Sequence, residues 1–457
     1  VPATLNLSIL GALIGLTFIS AILAAAWPAW LAAHSPIEPS LKQGGQQSGS
    51  SRRHHHLRGG LVIAEIAMSL TLLAACGLML RTIWTLARVP LGFRTDHIIV
   101  ANLDIPTYRF AKINADAEVY APLLERVKDM PGIDSAGLMT DVPLGKTFLE
   151  NITLYRSGKQ KPVVSFFKAV SPSLQDVFGF HMLGGRYFNA GDTPSTPSAA
   201  VVNRAFAHAF APHQQDLAKV VGMKLMGNER GKSGEGTTII GILDDFRQRS
   251  VDHPPAPEIE VSLSQMSPAS GFYTDLEGIA MDLAVRTQRP LAQVVPELRE
   301  ALRQADPALA GANITTMDQI VEDSYGSQRL AAHLLESFAG AALLLCIAGL
   351  YGLLAYIVSQ RTREMGVRFA LGAQRSDVMR LILGHAAVLV LTGVALGLGL
   401  AFASTRFIRS YLYGVSDHDA WTMAAVALLL IVCGAAAAYL PARRAARVNP
   451  VDALRAE

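Results

Sequence analysis

Five stretches of this 457-residue chain carry almost no charge: residues 5–33, 61–80, 337–359, 381–405 and 420–440. Each reaches the roughly 20 apolar residues that a helix needs to cross a bilayer. In lipid the backbone must satisfy its own hydrogen bonds, so such stretches have to be helical. Five of them together predict an integral membrane protein, not a soluble one with five buried core helices. Composition agrees: 17% of residues are charged, against about a quarter in soluble domains.

Charge placement orients the spans. Alternate loops share a side, and one set holds Lys42, Arg52, Arg53, Arg58, Arg361, Arg363, Arg368, Arg375, Arg380, Arg443, Arg444, Arg447 and Arg455. The other set has only Arg81, Arg88, Arg94, Arg329, Arg406 and Arg409 near the spans. The excess of cations puts the first set in the cytoplasm. Cys76, Cys346 and Cys433 all fall inside expected spans, so no disulfide framework is expected in the outer domain. The first apolar run is too long for a signal-peptide core and lacks a cleavage-like site. The chain enters that run almost directly from Val1, as a fragment of a longer polypeptide would.

Between spans two and three the composition turns soluble, from about residue 91 to 325. Residues 97–103 alternate as a half-buried strand does, and strand-like runs recur at 199–202, 237–243, 258–263 and 281–285. Helical spacing appears at 118–130, stopping at Pro131-Gly132, and at 290–305. The expected architecture is an α-helical transmembrane bundle of five spans, with an α+β extracytoplasmic domain inserted between spans two and three. Leu330, Leu334, Leu335 and Phe338 continue a helical stripe across His333 and Glu336, which predicts a stalk leading into span three. Gln43-Gly44-Gly45-Gln46-Gln47-Ser48-Gly49-Ser50-Ser51 reads as a flexible connector. Two inner ends repeat: Pro28-Ala29-Trp30-Leu31-Ala32-Ala33 with Leu41, and Pro441-Ala442-Arg443-Arg444-Ala445-Ala446 with Leu454. The repeat predicts a duplicated module.

Chemistry-bearing motifs are sparse. Gly227-Asn228-Glu229-Arg230-Gly231-Lys232-Ser233 has three residues between its glycines where a phosphate loop needs four, and reads as a surface loop. His54-His55-His56 lacks a carboxylate or cysteine partner at ligand spacing, and reads as a basic patch near anionic lipid. Asp244, Asp245 and His253 read as a turn after a strand. No nucleophile elbow is present, and no catalytic residue, metal or cofactor is expected. Nothing points to nucleic acid. Glu65, Glu336 and His385 are ionisable groups inside or at the edge of spans, where a charge is costly. Structural pairing or interface placement is the expectation for Glu65 and His385, over a proton pathway that would need several groups in register.

The segment Gln360-Arg361-Thr362-Arg363-Glu364-Met365-Gly366-Val367-Arg368-Phe369-Ala370-Leu371-Gly372-Ala373 is the most informative polar stretch. Arg361, Glu364 and Arg368 recur at helical spacing, Met365, Val367, Phe369 and Leu371 offer apolar contacts, and Gly372-Ala373 stops the helix. Ser376-Asp377 is a candidate cap for the next one. A lipid-surface helix accounts for the arginines. A short helix inserted into a cytoplasmic partner accounts also for the Arg-Glu-Arg order and the Gly-Ala stop.

This segment resembles the cytoplasmic coupling segment of MacB/FtsX-type ABC transporter permeases. Pro441-Ala442-Arg443-Arg444-Ala445-Ala446 with Pro450 and Ala453-Leu454-Arg455 is similar to the end of the same module. Pro131-Gly132-Ile133, Gly185-Arg186-Tyr187-Phe188, Ala200-Val201-Val202-Asn203 and Leu350-Tyr351-Gly352-Leu353-Leu354-Ala355-Tyr356 look like further parts of it. The duplicated ending is most similar to an orphan permease branch of acidobacteria. The resemblance implies a permease of the bacterial inner membrane that relays the motion of a separate cytoplasmic ABC ATPase to a periplasmic domain, for export or efflux. It implies a coupling role for Arg361, Arg363, Glu364, Gly366, Arg368, Ala370, Leu371, Gly372 and Ala373. It also implies pairing with a second permease half or a homodimer partner, in membrane lipid, with a periplasmic partner to be reached. The implied layout is a last helix of a preceding half (1–33), a linker (34–56), a span (57–88), a core domain (89–325), and a stalk with its span (326–359). The coupling segment (360–378), two spans (379–441) and a tail (442–457) complete it. The rival reading is a membrane scaffold or sensor that regulates a periplasmic partner and transports nothing.

Overall fold

The computed structural model describes residues 11, 14–15, 17–19, 22, 50–103, 116–145, 151–156, 162–214, 216–227, 236–265, 281–416 and 419–447. The span expected at 5–33 lies outside the described residues, apart from isolated helical positions, and so does the near-miss phosphate loop beyond Gly227. Among the described residues four helices are long and apolar enough to cross a membrane. They are α1 (Ser50–Leu86), α7 (Gly326–Gln360), α9 (Arg375–Ile408) and α10 (Ala420–Ala445). Cys76, Cys346 and Cys433 lie in α1, α7 and α10 as free thiols. One boundary differs from expectation. The chain is already helical from Ser50, inside the stretch read as a linker.

Residues 65–457 form one compact unit. Within it, α10 packs along both α7 and α9. Small residues set the approach, as expected where lipid removes the hydrophobic drive between helices. A Cβ added at Gly397 of α9 would come within 3.0 Å of the Ala67 backbone on α1, and one at Gly434 of α10 would meet Val390 of α9. Ser69 Oγ donates to the Ala342 carbonyl at 3.0 Å, tying α1 to α7.

The domain between α1 and α7 has two lobes. In the first, β1 (Ile98–Leu103), β2 (Ile133–Met139), β10 (Met281–Thr287) and β11 (Asn313–Thr316) form an antiparallel sheet in the order β11-β1-β10-β2. Both faces are covered, and strand alternation divides the side chains between them. Ile99, Ala101, Leu103, Leu283 and Val285 pack under α2 (Ala121–Lys128) and α5 (Leu291–Ala305). Ile98, Val100 and Ala284 face a second core with α3 (Leu174–Phe178) and Met317 of α6 (Met317–Ser324).

In the second lobe six strands close on themselves in the order β4-β3-β7-β8-β6-β9 and back to β4. They are β3 (Asn151–Arg156), β4 (Val163–Val170), β6 (Ala199–Asn203), β7 (Lys224–Gly227), β8 (Thr237–Leu243) and β9 (Glu258–Ser262), with β5 (Met182–Gly185) added on β8. Closure removes the sheet edges that would otherwise invite aggregation. The ring's apolar core includes Phe167, Ile239 and Ile259 with Phe206 and Phe210 of α4 (Arg204–Phe210).

Candidate functional site

The polar segment after the second described span forms a short helix, α8 (Thr362–Ala370). Arg361 is at once the C-cap of α7 and the residue before α8, with φ −104° and ψ 13°. Its amide donates to the carbonyls of Ile357 and Val358, so the turn between the helices is tight and hydrogen-bonded. Thr362 Oγ1 returns to the Val358 carbonyl at 3.0 Å and stiffens the corner. At the far end Gly372 adopts φ +95°, which an L side chain disfavours, and the amides of Gly372 and Ala373 donate back to Phe369 and Arg368. The cap of α9 is Gln374, not Ser376-Asp377 as expected. Asp377 instead accepts from the Gln374 amide at 2.9 Å as the third residue of a capping box.

The segment's side chains divide by face. Met365 and Gly366 are buried, whereas Glu364, Val367, Arg368, Ala370 and Leu371 are exposed, Leu371 by 82%. Arg368 Nη2 donates to Glu364 Oε1 at 2.6 Å, and Arg361 lies 4.0 Å from the same carboxylate. Glu364, Val367, Arg368 and Leu371 share one helical face by their spacing. An apolar pair flanked by an ion pair is thus presented outward. Val367 and Leu371, expected to offer apolar contacts, are both exposed. Arg363 and Ala370 lie on the same helix, and Phe369 and Ala373 are half-buried.

The two intramembrane groups are not brought together. The Glu65 carboxylate on α1 lies against Gly349 of α7, where a Cβ would collide with it. His385 is exposed on α9. Glu336 pairs with His333 one turn earlier on α7, at 3.2 Å. The Asp244–Asp245 pair serves the fold: Asp244 binds Arg204 at 2.8 Å, and Asp245 Oδ1 accepts from the Ala205 amide.

Sequence reasoning missed a second assembly, where the outer domain meets three helices. Leu86 at the end of α1, Leu144 and Val251 are buried together, and Val89, Ile320, Val321, Tyr325 and Tyr413 pack against them. Leu144 has φ 63°, an uncommon value for a bulky residue, with its amide donating to the Gln248 carbonyl at 2.7 Å. Arg247 Nη2 reaches the Tyr413 hydroxyl at 3.2 Å, and Gln328 of α7 donates to Asp252. Arg81 of α1 pairs with Asp419 at the start of α10.

Fold and site together define a multi-pass membrane protein with a large inserted extramembrane domain and a short outward-facing helix between spans. The description "MacB-like periplasmic core domain" matches residues 60–305, more than half of the chain, and "FtsX-like permease C-terminal" matches residues 336–450. The chain belongs to this family of MacB/FtsX-type ABC transporter permeases, and the inserted domain is periplasmic. Among curated relatives, the pyoverdine export ATP-binding/permease protein PvdT of Pseudomonas syringae pv. syringae is 26% identical over 290 residues, 62% of this chain and 41% of its own length. The macrolide export ATP-binding/permease protein MacB 1 of Yersinia pestis bv. Antiqua is 34% identical over 297 residues, 63% of this chain and 43% of its own. The chain therefore spans about two fifths of the length of the curated relatives it matches. The crystal structure of the periplasmic region of MacB from Actinobacillus actinomycetemcomitans aligns with 52% of this chain and 95% of its own, at 13% identity and a TM-score of 0.35.

Proposed function

We propose that this chain is the permease part of a mechanotransmission ABC system in the bacterial inner membrane, and that α8 docks into a cytoplasmic ATPase. The observation that carries this reading is the exposed face Glu364–Val367–Arg368–Leu371 at the end of a long unbroken lever. α7 runs 35 residues without interruption, about 52 Å at 1.5 Å per residue, from α8 to the periplasmic domain. Residues 1–457 contain no phosphate-binding loop, so in this reading the energy source is a nucleotide-binding unit outside them. Two coupling helices, from two permease halves or two copies, would be drawn together on ATP binding. α7 would then move the periplasmic domain against a substrate or a periplasmic partner. Relatives whose names specify pyoverdine or macrolide export favour export as the outcome.

The test is capture of an ATPase from native membranes by the full chain, followed by reconstitution of the pair. Leu371→Asp and Glu364→Lys, both on the exposed face, should reduce capture at least tenfold without changing folded yield. Unchanged capture by both variants would refute docking through α8. Capture without ATP-driven export of any tested compound from reconstituted vesicles would favour the regulatory scaffold.

A further inference from the structure

The two lobes of the periplasmic domain meet at a layer of ionisable side chains sealed in the interior. β2 of the sheet lobe touches β4 of the ring at one residue pair, Met139 with Val170. Immediately beyond, the Thr140 amide donates to the Ala169 carbonyl at 3.0 Å. Lys168 of β4 reaches across and donates Nζ to the Asp141 carbonyl oxygen at 2.7 Å. This ammonium is 1% exposed. On β9, the parallel neighbour of β4, Glu260 stands opposite Lys168 and Glu258 opposite Phe166.

Carboxylates outnumber the cation here. Asp141, Glu258 and Glu260 are each 1% exposed and Asp282 of β10 is 3% exposed, with Lys168 the ammonium among them. Among the described residues the hydrogen-bonding neighbours of these carboxylates are neutral donors, and Asp323 of α6 lines one cavity with Asp282. The Tyr187 hydroxyl donates to Glu260 Oε2 at 2.8 Å, Asn102 and the Val142 amide donate to Asp282, and Gln248 lies beside Glu258. Glu260 Oε1 is buried with no hydrogen-bond donor. Burying an uncompensated carboxylate costs several kcal/mol, and the usual relief is to take up a proton.

We propose that this layer is a proton-responsive clamp between the two lobes: protonated glutamates hold β9 and β4 around Lys168, and losing those protons loosens the Lys168–Asp141 bridge. Burial pushes the Glu258 carboxyl up to about 7, with Lys168 opposing and Asp141 assisting. Burial and then the neighbouring Glu258 push Glu260 up to about 8, with Tyr187 and Lys168 opposing. Both values are raised, so the folded domain keeps protons that the unfolded chain would release. Its stability is therefore complete below the ordinary glutamate value of 4.5 and falls as pH rises through 7 and 8. Two like charges then face each other along β9, and the joint between the lobes becomes the weakest part of the domain. The clamp sets how stiffly the domain responds to α7, yet it stands whether or not α8 docks an ATPase.

Hydrogen exchange on the full chain in lipid nanodiscs tests this, comparing about pH 6 with about pH 8.5 after correction for intrinsic chemical exchange. Protection of the amides of β4 and β9 and of Thr140 should fall at least tenfold in the wild type. Glu260→Gln and Glu258→Gln should remove most of that fall, because the amide mimics the protonated acid. An equal fall in both variants would overturn the clamp. Infrared titration of the wild type gives a second, fold-independent reading. A protonated-carboxyl band that bleaches with a midpoint between about pH 6.5 and 8.5 is expected, and its absence overturns the proposal even if the variants do not fold.

Discussion

At the scale of single residues, Gly185-Arg186-Tyr187-Phe188 shows how a short motif fastens a domain. Gly185 has φ +71°, and a Cβ there would strike the Ile240 carbonyl where β5 pairs with β8. Arg186 binds both oxygens of Asp192 at 2.7 Å, Tyr187 donates to Glu260, and Phe188 enters the core around Phe178 and Phe246. Four consecutive residues therefore serve a turn, an ion pair, the buried glutamate layer and the hydrophobic core. Gly222 is a built-in control, since it shares the left-handed backbone (φ +89°) with nothing near its missing Cβ. Gly222→Ala should cost only the backbone penalty, about 1–2 kcal/mol. Gly185→Ala should add an overpacking cost of about 1–3 kcal/mol. Urea unfolding of the detergent-solubilised protein should rank them in that order, and equal losses would remove the collision with Ile240 from the account.

Elements were legible where apolar, β-branched runs or helical spacing mark them in the sequence. β1, β6, β8, β9, β10 and α5 fall within a residue or two of their expected positions, because short apolar or alternating runs mark the strands and helical spacing marks α5. β2 was missed because Ile133-Asp134-Ser135-Ala136-Gly137 is small and polar, and it becomes a strand only by pairing with β10. The charged side of β9 was legible as a strand but not as a core. Glu258-Ile259-Glu260-Val261 alternates like a strand with one wet face, and only tertiary packing buries its glutamates. For α8 the charge spacing anticipated the Glu364–Arg368 pair, while the outward turn of Val367 and Leu371 needed the structure. The bundle makes a prediction of its own. Gly397→Val should force α9 off α1, since Ala67 backbone atoms already lie 3.0 Å from the added Cβ, whereas nothing lies within 4 Å at Gly399. A loss of about 1–3 kcal/mol is expected for Gly397→Val and little for Gly399→Val, read as thermal stability in detergent. Similar losses at both positions would mean that helix propensity, not contact with α1, sets the cost.

For the whole molecule, the connection between spans and periplasmic domain is short and doubled. β1 follows α1 through Val89, Leu91 and Phe93, and β11 leads through α6 and a break at Tyr325 into α7. These two strands pair antiparallel in the sheet lobe, with Ile99 opposite Thr316, so any movement of α7 relative to α1 would be applied as shear to one strand pair. The buried junction of Leu86, Leu144 and Val251 with Tyr325 and Tyr413 adds the turn before α10 to the same anchor. If α7 acts as the lever proposed above, its outer end has to be fixed to the domain, and Tyr413 ties the turn before α10 to that junction twice, by packing and by its bond from Arg247. Tyr413→Ala should therefore separate two properties that α8 and the junction would otherwise share. Capture of the proposed ATPase partner through α8 should be unchanged, because α8 lies at the opposite end of α7. The ATP-dependent change in amide exchange of β1 and β11 should fall by at least half, alongside a stability loss of about 1–2 kcal/mol. Tyr413→Phe keeps the ring and loses only the hydroxyl, so it should retain most of the response. If Tyr413→Ala responds to ATP like the wild type, force reaches the domain through α6 and α7 alone, and the turn before α10 is packing without transmission.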